Sequence, residues 1–267
     1  MRRNSRRRAH GERRVRTSTP GWLVPEWPAP PNVRALSTWR LGGSSRDPYA
    51  SLNLGDHVQD APLAVATNRR TLKQAAGLPQ EPSWLTQVHG IEVVDLDTAG
   101  AAHRGDAALP GDAVVTGKPG SVCAILTADC LPVLLAASSG DGVGAAHAGW
   151  RGLCAGVIEA TVAAMRSPPG EMLAWLGPAI GPGHFEIGPD VREALLRGDP
   201  GAEAAFQSNA RGRFMADLFA LARRRLASVG VERVYGGGEC TYSQADKYFS
   251  HRRDGRTGRQ ATLIWLI

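Results

Sequence analysis

Ser121-Val122-Cys123-Ala124-Ile125-Leu126-Thr127 runs straight into Ala128-Asp129-Cys130 and then into Leu131-Pro132-Val133-Leu134-Leu135-Ala136, and the architecture turns on this stretch. A strand with one wet face alternates apolar and polar residues. In residues 121–127 both alternating faces are largely apolar, so this strand is predicted to be covered on both sides. Residues 132–136 read as a second strand. Working outward, short apolar runs at 84–88, 92–96, 112–116, 142–147, 172–176 and 261–267 read as further strands. Helices are predicted from Pro62 to Ala76, with Asp60 as cap and Gly77 as stop, and over 153–165, 189–197 and 214–229. Helices flank a strand-rich centre instead of alternating with strands, which predicts a layered α+β domain over a Rossmann pattern. No GxGxxG, no Walker A sequence and no internal repeat is present.

The 267 residues are 43% apolar and 21% charged. This composition excludes a fully disordered chain, a collagen-like chain and a disulfide miniprotein. No apolar run reaches about 18 residues, so no membrane span is expected. The net charge is +6, but the first 20 residues hold eight Arg and one Glu, so the remaining 247 carry −1. Without a basic stripe in the body, no specific nucleic-acid partner is expected. Residues 1–33 are Arg-rich and then Pro-rich (Pro25, Pro28, Pro30, Pro31), and read as a flexible extension before a folded body at 34–267. No apolar segment of the signal-peptide kind follows the basic start. The four cysteines, Cys123, Cys130, Cys154 and Cys240, form no CxxC, so reduced thiols and a cytoplasmic location are expected.

Three segments place polar residues where predicted strands end: Thr86-Gln87-Val88-His89-Gly90, Thr127-Ala128-Asp129-Cys130-Leu131-Pro132 and Ala146-His147-Ala148-Gly149-Trp150-Arg151-Gly152. Two imidazoles and a thiolate can bind zinc and leave a fourth position open, the pattern of a catalytic site. Plainer readings stand beside this one. Cys130 can be a small buried hydrophobe, His89 a hydrogen-bonded turn residue, and His147 a side chain packed beneath the next helix. Cys130 can also serve as a nucleophile, with His147 as base and Asp129 or another carboxylate as orienter. Gly149-Trp150-Arg151-Gly152 allows close backbone approach at a helix start, with the Arg151 fork suited to phosphate or carboxylate, or it is simply a tight turn. The Arg-dense stretch from Tyr248 to Gln260 reads as an anion site or as a solvated loop.

Together these segments resemble the YfiH family, also called the laccase-domain or multicopper polyphenol oxidoreductase family. The resemblance rests on Ser51-Leu52-Asn53-Leu54-Gly55, Asn68-Arg69, Gln87-Val88-His89-Gly90, Gly111-Asp112-Ala113, Thr127-Ala128-Asp129-Cys130-Leu131-Pro132, His147-Ala148-Gly149-Trp150-Arg151-Gly152, Gly177-Pro178-Ala179-Ile180-Gly181-Pro182, Cys240-Thr241-Tyr242 and Phe249-Ser250-His251-Arg252-Arg253-Asp254. It covers roughly residues 36 to 267. Trp39, Gln59 and His184 depart from the usual pattern.

The resemblance implies a single domain with a central mixed β-sandwich flanked by helices, layered α/β/β/α. It implies one zinc per chain held by His89, Cys130 and His147. It also implies purine nucleoside phosphorolysis, in which adenosine, inosine or methylthioadenosine reacts with phosphate, with adenosine deaminase activity beside it. By residue type, Arg151, Arg69 and Arg252 are the expected anion contacts, Asn53 a ribose or metal-side contact, and Glu186 or Glu239 a proton shuttle. The expected assembly is a monomer or small homo-oligomer. Three other functions compete: an amidase or hydrolase on a cell-wall precursor using Cys130, a copper laccase, and a binding module without activity. Seven histidines, one of them in the basic start, are too few for several coppers, so copper is expected only adventitiously.

Overall fold

The computed structural model describes residues 20–99 and 108–267. The first half supplies β1 (Trp22–Leu23), β2 (Val33–Thr38), α1 (Pro62–Ala75), β3 (Leu85–Thr86), β4 (Val93–Asp95), β5 (Leu109–Pro110), β6 (Ala113–Thr116), β7 (Val122–Thr127), β8 (Leu131–Ala137) and β9 (Val143–Ala148). The second half supplies α2 (Trp150–Ala155), α3 (Val157–Ala164), β10 (Met172–Leu176), β11 (Glu186–Ile187), α4 (Pro189–Gly198), β12 (Phe206–Ser208), β13 (Phe214–Ala216), α5 (Leu218–Ser228), β14 (Arg233–Gly236), α6 (His251–Asp254) and β15 (Gln260–Leu266).

Two sheets form the centre. One has the order β1-β2-β15-β7 and is antiparallel throughout. The other has the order β14-β10-β8-β9-β6-β4 and is mixed, with parallel pairs at its two edges. Two small sheets, β11-β13-β12 and β3-β5, lie outside them.

The period-2 side-chain alternation explains the stacking. In β7, Cys123 and Ile125 join a core that also holds Leu134 and Ala136 of β8, Val143 and Ala145 of β9, and Ile264 and Leu266 of β15. That core fills the space between the two sheets. The alternate residues of β7, Val122, Ala124 and Leu126, pack with Leu72 of α1 and with Leu263 and Trp265 of β15. On the far side, Leu131, Val133 and Leu135 of β8 pack with Leu153 of α2, Val157 and Ile158 of α3, and Leu221 and Leu226 of α5. The order is therefore α1, four-stranded sheet, six-stranded sheet, then α2–α5. This is the mixed α+β fold expected, and β7 is buried on both faces as its composition requires.

Several expectations need correction. Of the extension expected at 1–33, residues 1–19 lie outside the described residues, but 20–33 belong to the body. Trp22 and Leu23 pair with Thr38 and Ser37, and Trp27 and Ala29 pack on the inter-sheet core. The Pro-rich composition did not prevent ordering because these residues bury against structure made elsewhere. Asp60 does not cap α1: the cap position is Ala61, without a side-chain bond, and the Asp60 carboxylate accepts from Ser45 and Asn53 instead. The helix expected at 153–165 starts earlier and breaks at Gly156, whose φ of +101 suits glycine and not a side-chain-bearing residue. The helix expected at 214–229 begins only at Leu218. Residues 214–216 form β13, and the Asp217 carboxylate caps α5 by accepting from the N–H groups of Phe219 and Ala220. The strand expected at 84–88 shortens to Leu85–Thr86. No helix of the described residues is long and apolar enough to cross a membrane.

Candidate metal centre

The chain leaves the four-stranded sheet at Thr127 and enters the six-stranded sheet at Leu131. The link is Ala128-Asp129-Cys130, with Asp129 at a φ of +96. Three bonds hold this unusual conformation. Asp129 Oδ1 accepts from the Thr241 hydroxyl at 2.7 Å, Oδ2 accepts from the Arg252 backbone N–H at 2.6 Å, and the Asp129 carbonyl accepts from Ile180 N–H at 2.9 Å. The turn aims Cys130 out of the core, where it is only partly buried.

His147 lies on β9 beside β8, in register with Pro132, and is 3% exposed. His89 stands on an exposed turn at a φ of +63. The donor atoms of His89, Cys130 and His147 all fall within 4.8 Å of one another, with Cys130 Sγ 3.9 Å from His89 Nε2. The imidazole rings meet edge to face at 4.7 Å.

One carboxylate organises both histidines. Asp112 is 0% exposed and precedes β6. Its Oδ1 accepts from the His89 backbone N–H at 2.9 Å and from His147 Nδ1–H at 2.8 Å. Its Oδ2 accepts from the N–H groups of Gly90 at 2.7 Å and Val88 at 3.1 Å. With Nδ1 committed to Asp112, His147 presents Nε2 to the site, the arrangement that orients a metal-ligating histidine. Burial works against the Asp112 carboxylate, but the His147 bond and the turn amides outweigh it and hold it at about 2. Burial likewise opposes a charged Cys130, yet the His147 charge and bonds from both imidazoles bring the thiol down. The same coupling, with Asp112 behind the ring, raises His147 against its own burial. A soft thiolate, two imidazoles, a fixed tautomer and one open side fit a borderline-soft ion such as zinc or copper. Gly149 completes the fit, because a Cβ there would lie 2.8 Å from Cys130 Sγ.

These residues open onto a cavity of about 410 Å³. Arg151 and Arg252 line it, each against a wall aromatic: Arg151 lies 4.4 Å from the Trp150 ring centre and Arg252 lies 5.5 Å from that of Phe185. Asn53 and Arg69 do not line it. Asn53 is fully buried and bonds Gly55, Asp60 and the Arg259 backbone. Arg69 donates to the Leu54 carbonyl, packs over Trp84 and faces Asp56. Of the orienters offered, Asp129 bonds Thr241 and the Arg252 backbone instead, and another carboxylate, Asp112, backs His147. Neither expected proton shuttle lines the cavity: Glu186 binds Arg211 and Asn209, and Glu239 accepts from Tyr248. His57 was not singled out in the sequence, Asp112 entered only within a family stretch, and His251 and Arg259 only within the Arg-dense stretch. A buried acid just before the apolar run Ala113-Val114-Val115 was the available signal for Asp112.

A family model described as multi-copper polyphenol oxidoreductase laccase matches residues 34–267. A protein of Escherichia coli named purine nucleoside phosphorylase YfiH is 51% identical over 245 residues, covering 92% of this chain and 98% of that one. The chain belongs to the YfiH family. A family relative from Corynebacterium glutamicum, also named a purine nucleoside phosphorylase, is 37% identical over 88% of this chain and 94% of its own. Among solved structures, a Neisseria meningitidis protein superposes with a TM-score of 0.86 at 49% identity, over 92% of this chain and 98% of that one. YlmD from Geobacillus stearothermophilus gives 0.85 at 32% identity, over 92% and 96%. Against the multi-copper description, one His/Cys/His cluster is found among the described residues, and three donors suit one ion rather than several.

Proposed function

We propose that this YfiH-family chain is a zinc-dependent purine nucleoside phosphorylase that takes adenosine, inosine or methylthioadenosine with phosphate to the free base and the sugar 1-phosphate, and that it also deaminates adenosine. One observation carries this reading: a single cavity joins the His89/Cys130/His147 cluster, cationic Arg151 and Arg252, and an apolar wall of Trp150, Ile180, Phe185 and Leu218. The names of the relatives support it. The volume lies within the roughly 300–1,000 Å³ of small-molecule sites.

His89, Cys130 and His147 would hold a zinc ion, which when bound would supply Lewis-acid chemistry and a water ionised near neutral pH. The chain's own residues do the rest. Asp112 fixes both imidazoles. The apolar wall offers a face for a purine ring, and the guanidiniums attract phosphate. In phosphorolysis the C1′–N9 bond breaks as a phosphate oxygen bonds C1′, and the base leaves with the electron pair and gains a proton.

The test is chromatographic product analysis of adenosine incubated with and without phosphate, alongside Cys130→Ala. Adenine that forms only with phosphate, and only in the unmutated protein, supports the phosphorylase. Inosine formed without phosphate supports the deaminase. Absence of both products sinks the reading.

A second reading is favoured by the Cys130–His147–Asp112 file. A depressed thiol faces an imidazole backed by a buried carboxylate, the arrangement of an activated nucleophile. It points to an amidase or hydrolase acting on a cell-wall precursor. Hydrolysis that survives complete chelation would select it, whereas activity that tracks bound metal would remove it.

A further inference from the structure

Arg259, next to β15 and within the Arg-dense stretch that reads as an anion site or a solvated loop, lines the same cavity. Among the described residues several arginines are paired with carboxylates, and Arg259 is not one of them. Arg166, Arg192, Arg224, Arg225 and Arg253 all face carboxylates. Arg259 is partly buried, and among the described residues no carboxylate pairs with it. Its Nη1 donates to the Thr257 and Gly258 carbonyls at 3.1 and 3.0 Å. The nearby Asp129 carboxylate is already engaged by Thr241 and by the Arg252 backbone. The arginine's negative neighbours, the Cys130 thiolate and the Asp129 carboxylate, are thus both engaged by other groups, so a partly desolvated guanidinium gains from an incoming anion.

The backbone at Arg259 is also clamped. Its N–H donates to Asn53 Oδ1 at 2.8 Å, and its carbonyl accepts from Leu54 N–H at 3.1 Å. A Cβ at Gly55 would lie 2.8 Å from Arg259 Cγ, so the stem lies flat on that loop. Gly258 is hemmed in by Phe249 and Asn53. Asn53 therefore acts as a positioning residue: it sets the arginine that reaches the cavity.

We infer that Arg259 is the fixed phosphate-binding residue of this site, held ready by the Asn53–Gly55 loop, with Arg151 and Arg252 closing on the same anion from the rim. The inference rests on the phosphate-using reading above. A rigid guanidinium fork suits a phosphate oxyanion better than a mobile lysine would, because less ordering remains to be done on binding.

Inorganic phosphate is titrated calorimetrically into the zinc-loaded protein and into zinc-loaded Arg259→Gln and Arg259→Lys. The expected result is a Kd raised roughly tenfold or more in Arg259→Gln, the loss of one charge-assisted contact, with partial recovery in Arg259→Lys and unchanged metal content. In turnover, KM for phosphate rises while KM for the nucleoside holds. A phosphate Kd unchanged in Arg259→Gln overturns the inference, as does a loss that merely follows lost zinc.

Should both variants fail to fold, phenylglyoxal modification of the unmutated protein decides. Protection of Arg259 by phosphate supports the inference, and equal modification with and without phosphate overturns it. The two readings fail separately. Phosphate held through Arg259 without any phosphorolysis removes the phosphorylase and leaves the anion site. Phosphorolysis with an Arg259-independent phosphate KM does the reverse.

Discussion

Asp112 is the residue on which the site's geometry depends. Its two oxygens meet four donors, three from the His89 turn and one from the His147 ring. In Asp112→Asn the amide must turn its NH2 toward donors, so either the His89 N–H and the His147 ring or the Val88 and Gly90 amides of the His89 turn lose their acceptor. Metal affinity is expected to fall about 10- to 100-fold, the usual cost of losing a partner that orients a ligand, as read by chelator competition. The pH dependence follows from the depressed carboxyl. An unfolded Asp titrates near 3.9, whereas this one titrates at about 2. Its contribution to stability is therefore complete above about pH 4 and drains away as pH falls toward 2. Urea midpoints measured between pH 5 and 2.5 should fall more steeply in the unmutated protein than in Asp112→Asn. Parallel slopes would show that the carboxylate is not stabilised by folding.

At the scale of elements, two glycines carry separate demands. Gly149 stands at the start of α2 with an ordinary φ of −65, so only space is at issue. Gly149→Ala should lower metal affinity by an order of magnitude or more while leaving the melting temperature nearly unchanged, because the new methyl falls on Cys130 Sγ. Gly156 carries a conformational demand instead. Gly156→Ala should destabilise by about 1–2 kcal/mol through its left-handed backbone, seen in denaturant unfolding, with metal content intact.

The elements also show what could be read in the chain beforehand. β7, β8 and β10 are buried on both faces, so their uniform apolar composition was a direct signal. β1, β3, β5 and β11 are two residues long and exist only because a partner strand meets them, which no local pattern encodes. β13 was hidden because the helical spacing of α5 extends backward through Phe214. His89, Cys130 and His147 stood out as polar residues at strand ends. Asp112 and Arg259 did not stand out individually, because their placement depends on contacts with residues 35 and 206 positions away in the chain.

For the molecule as a whole, residues 20–33 close one side of the sandwich. Trp27→Ala should lower stability by roughly 1–3 kcal/mol, less than a fully buried aromatic, because Trp27 is only half-buried against the inter-sheet core. A melting temperature unchanged by that substitution would mean the segment merely rests on the surface.

Cys130 belongs to the link by which the chain crosses from one sheet to the other, while His147 lies within the second sheet. An ion gripped there acts as a rivet through a laminate. By reciprocity, whatever free energy the ion lends to the contact of the two plies, that contact lends to the grip on the ion. Thinning the filling at Ile264, on β15, should therefore weaken binding of the ion although Ile264 lines no part of the cavity. Loading the ion should in turn raise the temperature at which the sheets part.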